Sequence, residues 1–298
     1  MDSAVIVCTR NRPDEVRRLL GTLPSQTVQP MLIVVDASDD EATEVLVDEF
    51  TRAGLWMAVD YTRAEPGLTR QRMAGVRRLQ DQVTVVHFID DDVVLEPEYF
   101  ESIERAFREL PEALGIGGMD TALTAHSPGL AGRLFGFDND AQGRVLRSGH
   151  PVLVYNATTV IRVDWLSGCG MSFRRSVFDR HAFDESLEGY SLGEDVDFTY
   201  RVSREGPLYV TPRARLRHCQ SPRDRAAAQK IASDDVVRRH EFVRRMRGSG
   251  MSTLAFWWSV YGEELVLGLK STLGLDADAA ARCQGMAEGV RRIRGGSG

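Results

Sequence analysis

Apolar residues in the first ninety positions fall in short, unbroken, β-branched runs separated by mixed polar segments. Ala4–Cys8, Met31–Asp36 and Val83–Asp90 are such runs, and unbroken apolar runs of this length mark strands buried on both faces of a parallel sheet. Met57–Tyr61 reads as a further strand. Between the runs the pattern predicts helices over Pro13–Leu20, where Pro stands at an early position, from Asp39-Asp40-Glu41 to about Ala53, and over Gly67–Gln80. This alternation implies a parallel sheet with helices on both faces. Another helix is expected over Pro97–Leu110.

The rhythm then breaks. Residues 119–150 are rich in Gly, Asp, Asn and Ser and read as a long functional loop. Val152–Val163 is strand-like. Trp165–Phe173 reads as a Gly-rich turn leading to a short strand and helix, Gly193–Arg204 as a helix, and Leu208–Val210 with Arg213–His218 as two short strands. From Arg223 the pattern is helical, broken at Gly248-Ser249-Gly250, and the terminal Gly-Gly-Ser-Gly is expected to be disordered. No internal repeat is present.

Asp90-Asp91-Asp92 closes the run Val83-Thr84-Val85-Val86-His87-Phe88-Ile89. Three adjacent carboxylates repel one another unless something cationic meets them. A divalent metal with hard oxygen ligands is the natural partner, and the carboxyl ends of strands are where open α/β sheets bind ligands. The other reading is a helix N-cap at Asp92, before Val93-Val94-Leu95-Glu96-Pro97, although one Asp would suffice for that.

Bulk properties narrow the classes. The chain of 298 residues is 43% hydrophobic, enough to bury one large core or two small ones. No apolar stretch reaches the roughly 18 residues of a membrane span, and Met1-Asp2-Ser3-Ala4 carries no basic leader, so no signal peptide is expected. Cys8, Cys169, Cys219 and Cys283 are scattered, which points to reduced thiols in a cytoplasmic protein. The net charge of −6 argues against general nucleic-acid binding. Residues 221–250 alone carry about +4, leaving about −10 on the remainder.

In their order these pieces resemble the GT-A fold glycosyltransferases of family 2, over roughly residues 3–220. The resemblance lies in Val5-Ile6-Val7-Cys8-Thr9-Arg10-Asn11-Arg12-Pro13, in Ile33-Val34-Val35-Asp36-Ala37-Ser38-Asp39-Asp40, and in Pro66-Gly67-Leu68-Thr69-Arg70-Gln71-Arg72. It continues through Asp90-Asp91-Asp92 as an Asp-x-Asp motif, Gly168-Cys169-Gly170-Met171-Ser172-Phe173, Glu194-Asp195 and His218. It implies a Rossmann-like, mostly parallel sheet with flanking helices and a C-terminal helical extension. Residues 1–220 would form the catalytic domain, with 1–95 as the donor half and 96–220 as the acceptor half, and 221–298 the extension.

It also implies the chemistry. A nucleotide-diphosphate sugar is the donor, and a divalent cation across its phosphates, Mn²⁺ or Mg²⁺, stabilises the leaving group. Carboxylates suit either ion, and an imidazole tilts the site towards Mn²⁺. Asp92 would bind metal directly, Asp90 through water or by contacting the ribose, and His218 would add a ligand. Asp195 would be the general base for the acceptor hydroxyl, with Glu194 beside it as acceptor holder or as the base itself. Thr9, Arg10, Asp36, Arg70, Arg72 and Asp91 would meet the donor, Asp36 at a base N–H and the arginines at base, phosphate or ribose. Arg10 stands where the family often has an aromatic residue, and Ala37 where it usually has a second acid. Trp165 is either a sugar platform or a core residue. No Gln-x-x-Arg-Trp motif follows the acidic pair, so the enzyme would add a single sugar.

The acceptor would be a saccharide, a lipid-linked species or a small molecule. Rival readings are a retaining enzyme of the same fold, a nucleotidyltransferase and a non-catalytic sugar-binding module. The tail joins arginines to Phe256, Trp257, Trp258 and Tyr261, which reads either as an interfacial helix at the inner face of a membrane or as a helix packed on the catalytic domain or in a homodimer.

Overall fold

The computed structural model describes residues 2–124, 126–186, 192–219 and 225–295. In chain order its elements are strand β1 (Ser3–Thr9), helix α1 (Pro13–Leu20), β2 (Met31–Asp36), α2 (Ala42–Arg52), β3 (Val59–Arg63), α3 (Leu68–Val76), β4 (Val85–Asp90), β5 (Val93–Leu95), α4 (Tyr99–Glu109), β6 (Gly115–Asp120) and α5 (Leu130–Phe135). There follow β7 (Ile161–Val163), β8 (Gly170–Arg174), α6 (Glu194–Ser203), β9 (Leu208–His218), α7 (Arg225–Arg245), α8 (Thr253–Thr272) and α9 (Ala279–Gly295).

Two compact units emerge: residues 1–125 with 154–220, and residues 126–153 with 221–298. The first holds one mixed sheet in the order β3-β2-β1-β4-β8-β6-β9-β5, with β7 on β9. Strands β1 to β4 run parallel; β1, β2 and β4 are the buried apolar runs, and β3, Val-Asp-Tyr-Thr-Arg, is the half-buried strand at the sheet's edge. Side chains alternate between faces, so Val5 and Val7 join one core cluster while Ala4 and Ile6 join the other. Helix α1 begins on Pro13, with Asp14 and Glu15 in its first turn and Arg17 and Arg18 in its last, a distribution that suits the helix dipole.

Several elements differ from the sequence reading. Asp92 caps no helix, because Val93–Leu95 is a strand paired with β9 and α4 starts only at Tyr99. Strand β6 was not read, since glycines weaken strand patterns. Its glycines are required by neighbours: a Cβ at Gly115 would meet Phe173 at 2.8 Å, and one at Gly118 would meet Tyr99 at 2.6 Å. The expected loop 119–150 contains α5, and of Val152–Val163 only Ile161–Val163 is strand. The two expected strands after Leu208 are one, with a register shift opposite Gly117 and Met119. Helix α3 ends at Val76, short of Gln80, and β3 starts two residues late. The start of the expected tail helix at Arg223 and the end of the terminal Gly-Gly-Ser-Gly lie outside the described residues. All four cysteines are free.

Gly170, at the start of β8, is closely enclosed. A Cβ there would sit 2.3 Å from Leu216 Cδ2 and 2.7 Å from the Tyr99 hydroxyl. Gly170→Ala is expected to cost about 1–3 kcal/mol by overpacking, read as a lowered midpoint in urea unfolding.

In the second unit the helices close on each other through small residues. A Cβ at Gly285 would fall 2.0 Å from the Gln229 carbonyl oxygen, and one at Gly289 2.7 Å from that of Ser233. Arg239 is buried at the centre. It donates to His150 Nδ1 at 2.6 Å and to Glu263 at 3.0 Å, and lies over the Phe256 ring. Phe256 and Trp257 pack with His240, whereas Trp258 and Tyr261 are exposed.

Candidate functional site

The carboxyl ends of β1 and β4 border a cleft of about 510 Å³ within the first unit. Thr9 ends β1. Asn11, at φ +55°, makes the turn that follows, a conformation Asn tolerates. Its backbone N–H donates to Ser38 Oγ at 2.7 Å, and its side chain exchanges hydrogen bonds with Asp39. Beyond the turn, Arg12 reaches back to the acid triplet.

The three acids are handled separately. Asp91 is buried and accepts from Thr9 Oγ1 and from Arg12 Nη1, each at 2.7 Å. Burial pushes its carboxyl up to about 7, against the pull of Arg12 and Thr9. Asp92 accepts from Arg12 Nη2 at 2.9 Å and lies 3.0 Å from His218 Nε2. Burial would raise Asp92, but the bonds from His218 and Arg12 outweigh it and hold the carboxyl low. Asp90 is raised by burial, with Arg72 and His218 opposing and Asp92 and Asp195 adding to the rise.

His218 arrives through strand register. It pairs with Val93, the first residue of β5, and the Cys219 N–H donates to the Asp92 carbonyl at 2.8 Å. Its own backbone N–H donates to Asp120 Oδ1 at 3.1 Å. Burial disfavours its charged form, yet the Asp92 and Cys169 contacts push it up to about 11. Ligand atoms of Asp90, Asp92 and His218 all lie within 4.8 Å of one another.

The opposite wall is the start of α6. Gly193, at φ +77°, turns the chain so that Glu194 and Asp195 open the helix. Glu194 is buried on Arg72, whose guanidinium is itself 2% exposed. Arg72 also reaches Asp90 at 3.4 Å and the Gly168 carbonyl at 3.3 Å. Its guanidinium lies over the rings of Phe88 and Phe183. Burial raises the Glu194 carboxyl and Arg72 lowers it. Asp195 differs. Half-exposed, its carboxylate accepts only backbone N–H groups among the described residues, from Gly168 at 3.0 Å and from Val196 at 2.8 Å.

Of the residues singled out in the sequence, Thr9, Arg10, Arg72, Asp90, Asp91, Asp92, Glu194, Asp195 and His218 line this cleft. Asp36 and Arg70 do not. Asp36 is fully buried, with its two oxygens bonded to the Tyr61 hydroxyl and the Ser38 N–H, each at 2.8 Å. Arg70 donates to the Glu185 carbonyl at 3.2 Å. Trp165 is a buried core residue away from the cleft. Arg12 was missed, though a basic residue just past the first strand of an open α/β sheet was the available signal. Gln71 was missed too. Its amide donates to the carbonyls of Thr9 and Val35 and so ties β1 to β2 at the cleft.

The sequence model of "Glycosyl transferase family 2" matches residues 4–181. The chain belongs to that family. The fold is the GT-A arrangement, and this family member shares it with solved glycosyltransferases of low identity. A mannosyltransferase, PcManGT from Pyrobaculum calidifontis in complex with GDP-Man and Mn²⁺, is 12% identical, with a TM-score of 0.65 over 99% of this chain and 88% of that one. TarS of S. aureus is 16% identical at TM-score 0.54, with 95% of this chain and 55% of TarS covered. GalNAc-T7 with UDP, GalNAc and Mn²⁺ is 16% identical at TM-score 0.57, covering 74% of this chain and 45% of that one. This family member thus spans about half the length of TarS and of GalNAc-T7. A search of curated protein sequences finds no match. Among the described residues no helix is long and apolar enough to cross a membrane.

Proposed function

We propose that this enzyme is a metal-dependent, inverting glycosyltransferase that moves one sugar from a nucleotide-diphosphate sugar to an acceptor hydroxyl. The observation that carries the reading is one cleft with two differently prepared acidic walls. One wall gathers Asp90, Asp92 and His218; the other presents Asp195 with no cationic partner among the described residues.

The donor set fits a divalent ion. In the structure the charge called for by Asp90 and Asp92 is met by Arg12, Arg72 and the imidazole of His218. An ion of two charges meets the same need and lets His218 serve as a neutral ligand. Asp90, Asp92 and His218 would hold it, a set that accepts Mg²⁺ and favours Mn²⁺. When bound, the ion supplies Lewis-acid stabilisation of the negative charge growing on the departing diphosphate. The structures of PcManGT and GalNAc-T7, each with Mn²⁺ and a nucleotide, support this assignment by fold.

The chain's own residues do the rest. Asp195 takes the proton of the acceptor hydroxyl as its oxygen attacks the anomeric carbon, and the carbon–oxygen bond to the diphosphate breaks on the opposite face. The backbone N–H of Gly168 holds the Asp195 carboxylate in place. Glu194 is committed to Arg72, which makes it a positioning residue rather than a second base. Arg10 and Arg12 add positive charge where the diphosphate enters, while Asp91 is held by Thr9 and Arg12 and orients the loop.

Proton NMR of the product formed from a panel of nucleotide sugars tests the scheme: the anomeric configuration of the transferred sugar should be opposite to that in the donor. A retained configuration would contradict it. Asp92→Ala should weaken Mn²⁺-dependent binding of nucleoside diphosphate by more than the roughly 10–100-fold that loss of an outer partner costs. Titration calorimetry with and without Mn²⁺ checks it, and unchanged affinity would remove Asp92 from the ion.

A further inference from the structure

Helix α8 carries an apolar stripe on its outer side that the fold leaves uncovered. Leu254, Trp258, Tyr261, Leu265 and Leu269 recur at helical spacing, and all are exposed, Leu254 at 83% and Trp258 at 54%. The stripe runs about 22 Å at the helical rise per residue. Leu130 and Leu134 of α5 widen it, for the Trp258 indole donates to the Leu134 carbonyl at 2.9 Å and its ring lies tilted against Phe135. The inner side of α8 is conventional core, with Phe256, Val260 and Leu267 buried. A helix so divided normally shows polar residues outside, and a contiguous apolar strip of this size marks an interaction surface.

The charge beside the stripe identifies the partner. Arg247 donates to the Thr253 hydroxyl at 3.0 Å at the start of α8. Arg294 donates to the Tyr261 hydroxyl at 2.6 Å in the middle. Lys270 is exposed near the end. None of the three lies within 4 Å of a carboxylate oxygen among the described residues, and Glu264 is the acid that feels Arg294. Of the acids of α8, Glu263 is buried on Arg239, and Glu264 lies half-buried, where the Arg294 charge partly offsets the rise that burial gives its carboxyl. A second copy docked stripe to stripe would set this cationic row against itself, since a two-fold contact presents the same patch on both sides. A protein surface that matched it would need apolar side chains framed by a row of acids, whereas an anionic bilayer supplies apolar depth and negative charge together.

We infer that this face of α8 and α5 is a docking surface for an anionic lipid bilayer. Leucines and aromatic rings enter the boundary between headgroups and acyl chains, while Arg247, Lys270 and Arg294 meet lipid phosphates. A helix lying in the plane of the interface with an exposed apolar face flanked by cations binds in this way, by buried apolar area together with attraction to anionic lipid. The inference does not depend on the catalytic scheme.

The test is co-sedimentation of the full chain with vesicles of phosphatidylcholine alone or mixed with phosphatidylglycerol, with light scattering on the same samples. The protein should sediment with the anionic vesicles and stay in solution with the neutral ones. Binding should fall as salt shortens the screening length. Lys270→Glu with Arg294→Glu should weaken it at least about fivefold per residue. Trp258→Ser with Leu265→Ser should weaken it about tenfold or more, with far-ultraviolet circular dichroism unchanged because the buried side of α8, Phe256, Val260 and Leu267, is left intact. Should the serine pair unfold, the charge-reversal pair decides alone. Absence of anionic-vesicle binding, equal binding by the charge-reversal pair, or conversion of a dimer to a monomer by the stripe variants would overturn the inference.

Discussion

Asp195→Asn should lower sugar transfer by about 10²–10⁴-fold while donor binding is unchanged. The amide keeps the shape of the side chain, and its one carbonyl oxygen can still accept from the Gly168 N–H that the carboxylate holds at 3.0 Å. What it loses is the capacity to take a proton. Because Glu194 is buried on Arg72, it is not free to substitute. A kcat measured at saturating donor and acceptor, beside calorimetric affinity for the nucleoside diphosphate, separates the two effects. Transfer near the wild-type rate would mean that another group accepts the proton.

Arg72→Ala should destabilise the fold by about 3–5 kcal/mol. The guanidinium is 2% exposed and serves Glu194, Asp90 and the Gly168 carbonyl together. Without it Glu194 is left buried with neither oxygen bonded, for Oε2 has no partner to begin with. Breaking one side of a buried pair costs more than the pair contributes, so a double change to Arg72→Met with Glu194→Leu should recover much of the loss. The single variant should melt on the order of 10 °C lower. A single variant within about 1 kcal/mol of wild type, measured in urea, would show that the pair is not a structural tie.

The central strands β1, β2 and β4 were legible because burial on both faces leaves short, unbroken β-branched runs between helical segments. The acid triplet was legible because repulsion among adjacent carboxylates calls for a cation wherever they sit. Strand β6 was not, since Gly115, Gly117 and Gly118 are set by Phe173, Leu166 and Tyr99 side chains that come from other elements. Asp36 has the sequence position of a donor contact, but Tyr61 on the neighbouring strand and the Ser38 N–H occupy its oxygens. That pairing exists only once β2 and β3 are in register. Arg12 was one arginine among many until the turn at Asn11 brought it against Asp91 and Asp92. His218 could be named from resemblance, while its approach to Asp92 depends on β5, a strand of three residues that reads as the lead-in to a helix. The division of α8 into a buried and an exposed apolar side is equally invisible in a segment that is apolar nearly all round.

In the proposed scheme a divalent ion held by Asp90, Asp92 and His218 carries the donor diphosphate. The most direct measurement is nucleoside diphosphate release from a panel of nucleotide sugars, after chelation with EDTA and again after Mn²⁺ is restored. Release from at least one donor is expected, with its loss on chelation and its return with Mn²⁺ in wild type but not in Asp92→Ala. Release that persists in EDTA, or that Mn²⁺ restores equally in Asp92→Ala, would contradict it.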